Sequence, residues 1–442
     1  MAIGLSILFV QLRFAQSASN DLDEVLKQAQ EALVAKDFER AAREYRRALK
    51  LGPSAEIYEK LGLTHYLANA YPQAAEALKE AIRLDPKRWS AQLYLGVSLY
   101  KTNRFQEALP HIQRALELNP QQNESRYWLG STYRALGNYD LASQHLRAAL
   151  DQDPGNVDTL YALTEAYLDS SALLSKRLGP HDPDEKRREA LQAQHGLQPE
   201  TLRNGGSWDD AVHRLLKLEK QYADARNSPR TDPERVYVLS RTYAGLAQLT
   251  AERVWELKPD SFRAHQLLGE TYEGNEKYEK ALEEYRKALQ LAPNVPGLHY
   301  SVGHCYWQMK RFDEAIPEIE RELALNPRNA SANFVLGHIY AYRQDLEKSS
   351  KYLQRAVEES PDFVEARKQL GKVLSLMQDN RGAVRQLEIA VASDPEDYSV
   401  HYLLAGVYRK LGLQDKARKE LDIFNQLYSR EHQHQHTAEL PD

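Results

Sequence analysis

The chain has 442 residues, of which 27% are charged, and its formal net charge at pH 7 is −5. A net charge this small on a chain this long argues against a strongly basic face, so no nucleic-acid partner is expected. The single cysteine, Cys305, excludes an internal disulfide.

The first 20 residues differ in composition from the rest of the chain. Ile3 to Val10 is an apolar run, and small residues follow between Phe14 and Ser19. This run is too short to cross a bilayer. It predicts a signal peptide over residues 1–20 and thus a periplasmic or secreted protein. The alternative is an ordinary apolar N-terminal helix of a cytoplasmic protein.

The prolines of the chain recur at an interval of 34 residues. They are Pro86, Pro120 and Pro154, followed after a gap by Pro259, Pro293, Pro327, Pro361 and Pro395. In phase with them, an apolar residue precedes a glycine and a tyrosine follows three residues later, as in Leu129-Gly130 and Tyr133, with Ala142 nine residues further on. Several residue types that recur in phase are typical of stacked helical repeats.

A single copy of the repeat predicts two antiparallel helices. Tyr127 and Tyr133 belong to one apolar stripe at helical spacing, which defines the first helix. Gly130 allows the second helix to cross closely, and Gly137 ends the first helix because glycine tolerates left-handed backbone geometry. Pro154 follows the second helix, since the residue before a proline is pushed out of helical geometry. Each pair buries only part of its apolar surface, so the copies must stack into a solenoid.

This pattern resembles the tetratricopeptide repeat (TPR) family, with its W-x2-L-G-x2-Y…A…P signature. The resemblance covers nine units, which begin near Leu22, Ala55, Trp89, Asn123, Phe262, Pro296, Ala330, Val364 and Tyr398. It implies an all-α fold, a helix-turn-helix solenoid or superhelix. It also implies a concave groove, lined mainly by first helices, where a peptide or protein partner binds.

Between Pro154 and Pro259 the pattern is interrupted. Residues from Val157 to Ser170 predict a first helix, but no second helix follows in phase. A polar stretch rich in glycine and proline follows, with room for two short helices. One would run from Pro183 to about Gln194, with Asp182 as its cap. The other would begin after Ser207, whose spacing to Asp210 is that of a capping box.

The resumption of the repeats predicts one long helix. Tyr243 precedes Pro259 by only 16 residues, whereas Tyr133 precedes Pro154 by 21. The missing residues correspond to the turn between two helices, so Arg235 to Leu257 should be continuous and should join two solenoid arms.

The predicted organisation has six parts. They are a signal peptide (1–20), an N-terminal TPR arm (21–170), an irregular insertion (171–232), a long connecting helix (233–261), a C-terminal TPR arm (262–430) and a disordered tail (431–442). The tail includes His432, His434 and His436, which could hold a metal weakly; a solvated tail is the preferred interpretation.

Motifs of catalysis are absent from the sequence. It contains no P-loop, HExxH, GxSxG or dinucleotide fingerprint and no Cys/His cluster with metal-ligand spacing. Cys305 lies in a first helix and is interpreted as a small buried residue. We therefore expect a protein that is not an enzyme and has no catalytic residue, cofactor or metal, and no stable membrane span.

The resemblance also suggests which residues bind the partner. They are Tyr94, Tyr127, Trp128 and Tyr161 in the N-terminal arm and Tyr300, His304, Trp307, Phe334, His338 and Tyr342 in the C-terminal arm. Further inward positions are Tyr66, Val97, Tyr100, Arg134, Lys368, Lys372, Tyr402 and Arg409. The alternative for each aromatic residue is packing between repeats.

Two functions remain open at this stage. The first is a non-enzymatic scaffold whose aromatic-lined groove holds a protein or peptide. The second is an accessory to carbohydrate chemistry, which binds a glycan or presents a substrate to a glycosyltransferase. The basic, asparagine-bearing carboxylate clamp of chaperone-binding TPR proteins is not reproduced, so capture of a chaperone C-terminus is not expected.

Overall fold

The structure is a computed structural model that describes residues 21–179, 182–203, 206–226 and 232–437. The predicted signal peptide lies outside these residues, so it stays a prediction. All regular secondary structure in the described residues is helical. None of the described helices is both long enough and apolar enough to cross a membrane.

Most helices form antiparallel pairs, one pair to each repeat. In the N-terminal half the pairs are α1 (21–34) with α2 (Phe38–Leu51), α3 (Ala55–Leu67) with α4 (Tyr71–Leu84), α5 (Trp89–Lys101) with α6 (Phe105–Leu118), and α7 (Asn123–Ala135) with α8 (Tyr139–Leu150). The residues between Leu150 and Phe262 include α9 (Val157–Leu178), α10 (Glu185–His195), α11 (Trp208–Gln221) and α12 (Pro233–Leu257).

Regular repeats then resume. The pairs are α13 (Phe262–Gly274) with α14 (Tyr278–Leu291), α15 (Leu298–Gln308) with α16 (Phe312–Leu325), α17 (Ala330–Tyr342) with α18 (Leu346–Glu359), α19 (Val364–Leu376) with α20 (Asn380–Ser393), and α21 (Tyr398–Lys410) with α22 (Gln414–Thr437). The chain divides into two compact units, with the boundary between Ala264 and His265.

The recurring glycine lies where the two helices of a repeat touch. A Cβ atom added at Gly130 would lie 2.6 Å from Cγ of Leu146 and 3.0 Å from the carbonyl oxygen of Ala142. At Gly303 the corresponding distance to Cδ1 of Ile319 is 2.6 Å. The predicted close crossing is therefore present, and the surface that meets the glycine comes from Leu146 and from the backbone of Ala142.

The turn between the two helices uses a left-handed residue in each of the nine repeats. The positions are Lys36, Asn69, Asn103, Gly137, Glu276, Lys310, Gln344, Gln378 and Gly412. Gly137 has φ 74°, as its sequence context predicted. Other repeats adopt the same geometry with side chains that carry a Cβ, for example Gln344 at φ 63°.

The insertion differs from its prediction at two helix ends. Helix α9 continues past Ser170 to Leu178. Helix α10 begins at Glu185, and its cap is Asp184, not Asp182, because the Asp184 carboxylate accepts the backbone N–H of Arg187 at 2.8 Å. The predicted cap of α11 is confirmed: Ser207 and Asp210 form a reciprocal capping box.

The long helix α12 is continuous, as the missing turn predicted. It packs antiparallel along α9, since Thr164 and Thr250 hydroxyls lie 2.8 Å apart, and so do those of Ser175 and Ser240. Helix α12 therefore occupies the place of the second helix in the repeat that α9 begins. It belongs to the first unit, and its predicted role as a joint between two arms stays a prediction.

Helix α22 corrects the predicted boundary of the C-terminal tail. It runs from Gln414 to Thr437, through seven residues that were predicted to be disordered. Each residue added to an existing helix gains a backbone hydrogen bond without a new nucleation cost, so a polar sequence can prolong it. Residues 438–442 lie outside the described part of the chain.

Candidate partner-binding surface

The first helices of neighbouring repeats contact one another, as α5 does α7 and α15 does α17. Side chains three or four residues apart on these helices therefore combine into one surface across several repeats. We call this surface the first-helix face. In the first unit it includes Tyr66, Tyr94, Tyr100, Tyr127, Trp128 and Tyr161; in the second it includes Tyr300, His304, Trp307, His338 and Tyr342.

Aromatic rings of the first unit touch across repeat boundaries. The ring centroids of Tyr66 and Tyr94 lie 5.1 Å apart, and those of Tyr100 and Trp128 lie 5.3 Å apart. Tyr127 and Trp128, neighbours on α7, meet edge to face at 5.0 Å. All five side chains are half-buried. Burial raises the pKa of Tyr94 and of Tyr100 to about 12, so both phenols are protonated at neutral pH.

Charged side chains that sequence analysis did not single out lie beside these rings. Arg263 pairs with Asp158 at 2.8 Å and lies over the Tyr161 ring at 4.3 Å. Burial raises the pKa of Glu165, although Arg134 pairs with it at 2.8 Å. Helical spacing in the sequence could have revealed two of these charged residues. Asp158 and Glu165 are three and four residues from Tyr161, so they lie on the same side of α9 as that ring.

The second unit has a smaller aromatic and imidazole cluster. Tyr300 stacks on His304 at 5.5 Å, and His304 lies 5.2 Å from Trp307. The indole Nε1–H of Trp307 donates to Nδ1 of His338 at 3.1 Å, with the two rings edge to face. Burial lowers the pKa of His338, which favours the neutral imidazole that this hydrogen bond requires. Nδ1 of His304 lies 2.5 Å from the Glu273 carboxylate.

Two predicted positions do not belong to the accessible surface. Phe334 is only 9% exposed and packs on Phe363 at 5.1 Å, so it supports the neighbouring repeat. Val97 is fully buried because its side of α5 packs in the core. Tyr342 is the opposite case, 66% exposed with one ring contact, to Phe312 at 4.9 Å. Helical spacing places these residues on first helices but does not show how deeply each is buried.

A pocket of 310 Å³ lies near the end of the second unit. It is lined by Lys368, Lys372, Tyr398, Tyr402 and Phe424, among others. Lys368 is neutralised by Glu365 at 2.6 Å and Asp397 at 3.2 Å. The pocket thus combines three aromatic side chains with a lysine, Lys368, whose charge is already paired.

The lone cysteine lies in the core and not on the first-helix face. Cys305 is fully buried, and burial raises the pKa of its thiol to about 12, so the thiolate is scarce at neutral pH. Within the described residues, no group of three or more His, Cys, Asp or Glu side chains could hold a metal ion.

Sequence comparison identifies the class of protein. A sequence profile described as tetratricopeptide repeat matches residues 26–88, 68–123, 93–157, 303–362 and 368–424, which together make up more than half of the chain. The chain therefore belongs to the TPR family, whose proteins are interaction scaffolds that bind protein or peptide partners. A second profile, described as anaphase-promoting complex, cyclosome, subunit 3, matches residues 241–322.

Several solved structures are similar to the chain. YrrB, described as a TPR protein with an unusual peptide-binding site, is 23% identical; the match covers 43% of this chain and 98% of YrrB, with a TM-score of 0.36. The APC/C hetero-tetramer Cut9-Hcn1 is 15% identical over 92% of this chain and 93% of its own, with a TM-score of 0.38. MamA from Desulfovibrio magneticus RS-1 is 17% identical over 39% of this chain and 97% of its own, with a TM-score of 0.36. No curated protein sequence matches the chain.

Proposed function

We propose that the protein is a non-enzymatic scaffold whose first-helix face binds an extended peptide segment of a partner protein. The observation that carries this proposal is the continuity of half-buried aromatic rings across repeats, from Tyr66 to Tyr94 and from Tyr100 to Trp128. Rigid aromatic side chains supply large contact area at little cost in conformational entropy, and they dominate binding hot spots.

The chemistry of the face suits a peptide. Tyrosine hydroxyls that stay protonated at neutral pH can both donate to backbone carbonyls and accept from backbone N–H groups. Tyr94 and Tyr100 have this character because a phenol titrates near pH 10, and burial raises the pKa of both still further from neutral pH. The rings meet mostly edge to face or tilted. A ligand on this face would therefore meet ring edges, hydroxyl groups and apolar ring area. Glycan binding is the alternative outcome of the test below.

The test uses two libraries and variants of the most accessible aromatic residue. The purified protein is presented to a random peptide display library and to a glycan array. Peptides that bind are then measured against Tyr342→Ala and Leu291→Ala. Leu291 is a matched control because it is 57% exposed and ends a second helix, α14, in the same unit.

We expect peptides to bind. For peptides that bind to the second unit, Tyr342→Ala should weaken the affinity by about thirtyfold, which corresponds to the ~2 kcal/mol of a hot-spot residue. Leu291→Ala should bind normally. Because Tyr342 is largely exposed, its variant should melt like the parent. Binding of glycans alone would support the carbohydrate alternative, and equal effects of both variants would exclude the part of the first-helix face that lies in the second unit.

The place of action stays a prediction of the sequence. We propose cleavage after about Ser17 and function in a periplasm or outside the cell, supported by the apolar run from Ile3 to Val10. The mass of the protein purified from its native source tests this proposal. A mass that includes residues 1–20 would favour the cytoplasmic alternative.

A further inference from the structure

One cation on the first-helix face of the first unit forms no ion pair with any residue that the structure describes. Lys101 is the last residue of α5 and is half-buried. Its Nζ lies 5.0 Å from the centroid of the Trp128 ring on the next first helix. Among the described residues, no carboxylate forms an ion pair with Lys101, and the ring is the group that holds its ammonium in place.

The other charged groups nearby are already satisfied. Arg134 is held by Glu165 at 2.8 Å and by Asp169 at 2.6 Å. Glu124, the one acidic residue of α7, accepts hydrogen bonds from Trp128 Nε1 at 3.3 Å and from the Tyr94 hydroxyl at 3.4 Å. None of these carboxylates forms an ion pair with Lys101, and Asp158, the acid whose charge acts on Lys101, is paired with Arg263 at 2.8 Å.

An unpaired cation in this position costs free energy in the empty protein. Burial lowers the pKa of Lys101, and the positive charge of Arg263 lowers it further. Asp158 acts in the opposite direction but does not reverse the shift, and it is itself paired with Arg263 at 2.8 Å. The ammonium has therefore lost water without gaining an ion pair in return. A ligand that brings a carboxylate to Nζ would recover this cost, which makes the site selective for a negative charge.

We propose that Lys101 receives the side-chain carboxylate of an Asp or Glu in a bound peptide, and that the flanking Tyr100 and Trp128 rings hold the residues next to it. The partner is therefore an acidic, aromatic- or aliphatic-flanked peptide segment. This inference rests on the proposed function and adds the chemical class of the ligand. A carboxylate fits this site because it carries one negative charge, which matches the single ammonium group of Lys101 beside the Trp128 ring.

The test is a selection followed by charge reversal. A random dodecapeptide library, amidated at the C-terminus so that only side chains carry carboxylates, is selected on the full-length protein. We expect enrichment of Asp or Glu beside an apolar residue. Lys101→Glu should weaken these peptides by about tenfold or more, since a charge-assisted hydrogen bond is replaced by repulsion. The same variant should select Lys or Arg from the library.

The matched control is Lys410→Glu. Lys410 also ends a 13-residue first helix, α21, but it is exposed and its Nζ donates to the Ser375 hydroxyl at 2.7 Å. This variant makes the same change of charge in the second unit and should leave the selection unchanged. Lys101→Met keeps the aliphatic chain over Trp128 without the charge, so it tests the site if Lys101→Glu does not fold.

The outcomes separate this inference from the proposed function. Peptides that bind without an acidic preference, or that lose affinity equally in Lys101→Glu and Lys410→Glu, would overturn the inference and leave the scaffold intact. Failure of any peptide to bind would overturn both. If inorganic phosphate saturates the site and acidic peptides do not compete with it, the ligand is not a peptide carboxylate and this inference is wrong.

Discussion

At the scale of single residues, the left-handed turn between the helices of a repeat is strained for a residue with a long side chain. The left-handed residue is glycine in two turns, at Gly137 and Gly412, but it is Gln344 in the repeat of α17 and α18. A residue with a Cβ has a higher conformational energy in this geometry because its Cβ approaches the following carbonyl oxygen. Position 344 is exposed, so the side chain gives little packing in return.

We therefore predict that Gln344→Gly stabilises the protein. The gain should be about 0.5–1 kcal/mol, reduced by the larger entropy that glycine has in the unfolded chain. Chemical denaturation of the parent and the variant measures it. Gly137→Gln is the converse control and should lower the free energy of unfolding. A destabilised Gln344→Gly variant would show that the turn is not strained.

A second residue-scale prediction concerns His338. Its pKa in the folded protein is lowered mainly by burial, with Glu365 opposing and Lys372 adding to the shift. A histidine with a lowered folded pKa contributes stability above its unfolded pKa of about 6.5, and this contribution is lost as pH falls through the folded value. His338→Asn, which does not titrate, should lose less stability than the parent between pH 7.5 and pH 5.

Denaturant melts at both pH values measure this difference. The other histidines are common to both proteins, so their contributions cancel in the comparison. Identical pH dependence of parent and variant would contradict a buried neutral His338 that accepts the Trp307 indole N–H.

At the scale of elements, the packing of a repeat depends on the close approach at its glycine. We predict that Gly130→Leu costs about 1–3 kcal/mol by overpacking, because even a Cβ there would lie 2.6 Å from Leu146. Repeats couple mainly to their neighbours, so the damage should remain in the first unit. Hydrogen exchange should show faster exchange in α7 and α8 and unchanged exchange in α17 and α18. Equal loss of protection in both units would contradict this locality.

The repeats could be predicted from sequence because each is marked by local signals, such as Gly130 at the crossing and Pro154 after the second helix. The pairing of α9 with α12 could not, since the partners are separated by the insertion and no residue spacing connects Thr164 with Thr250. The first-helix positions of the binding residues were predictable from the repeat. The burial of Phe334 and the ion pairs around Tyr161 were not, because they depend on how neighbouring repeats meet.

At the scale of the whole molecule, two compact units each carry a first-helix face of their own. In the first unit the face combines tyrosines with charged groups, including Lys101 and the Arg134 cluster with Glu165 and Asp169. In the second unit the rings of Trp307 and His338 meet edge to face. The two faces therefore differ in chemistry.

The central claim is that peptides bind on the first-helix face and not on second helices. Site-specific photo-crosslinking tests it most directly, with the photoreactive amino acid benzoylphenylalanine placed at Tyr342 or, as an exposed second-helix control on α18, at Lys351. Peptides are selected on the full-length protein, and those whose binding depends on the second unit are added to each photoreactive variant. The mixtures are then irradiated. We predict efficient crosslinks from position 342 and none above background from position 351. Equal crosslinking at both positions, or crosslinking at position 351 alone, would contradict the account.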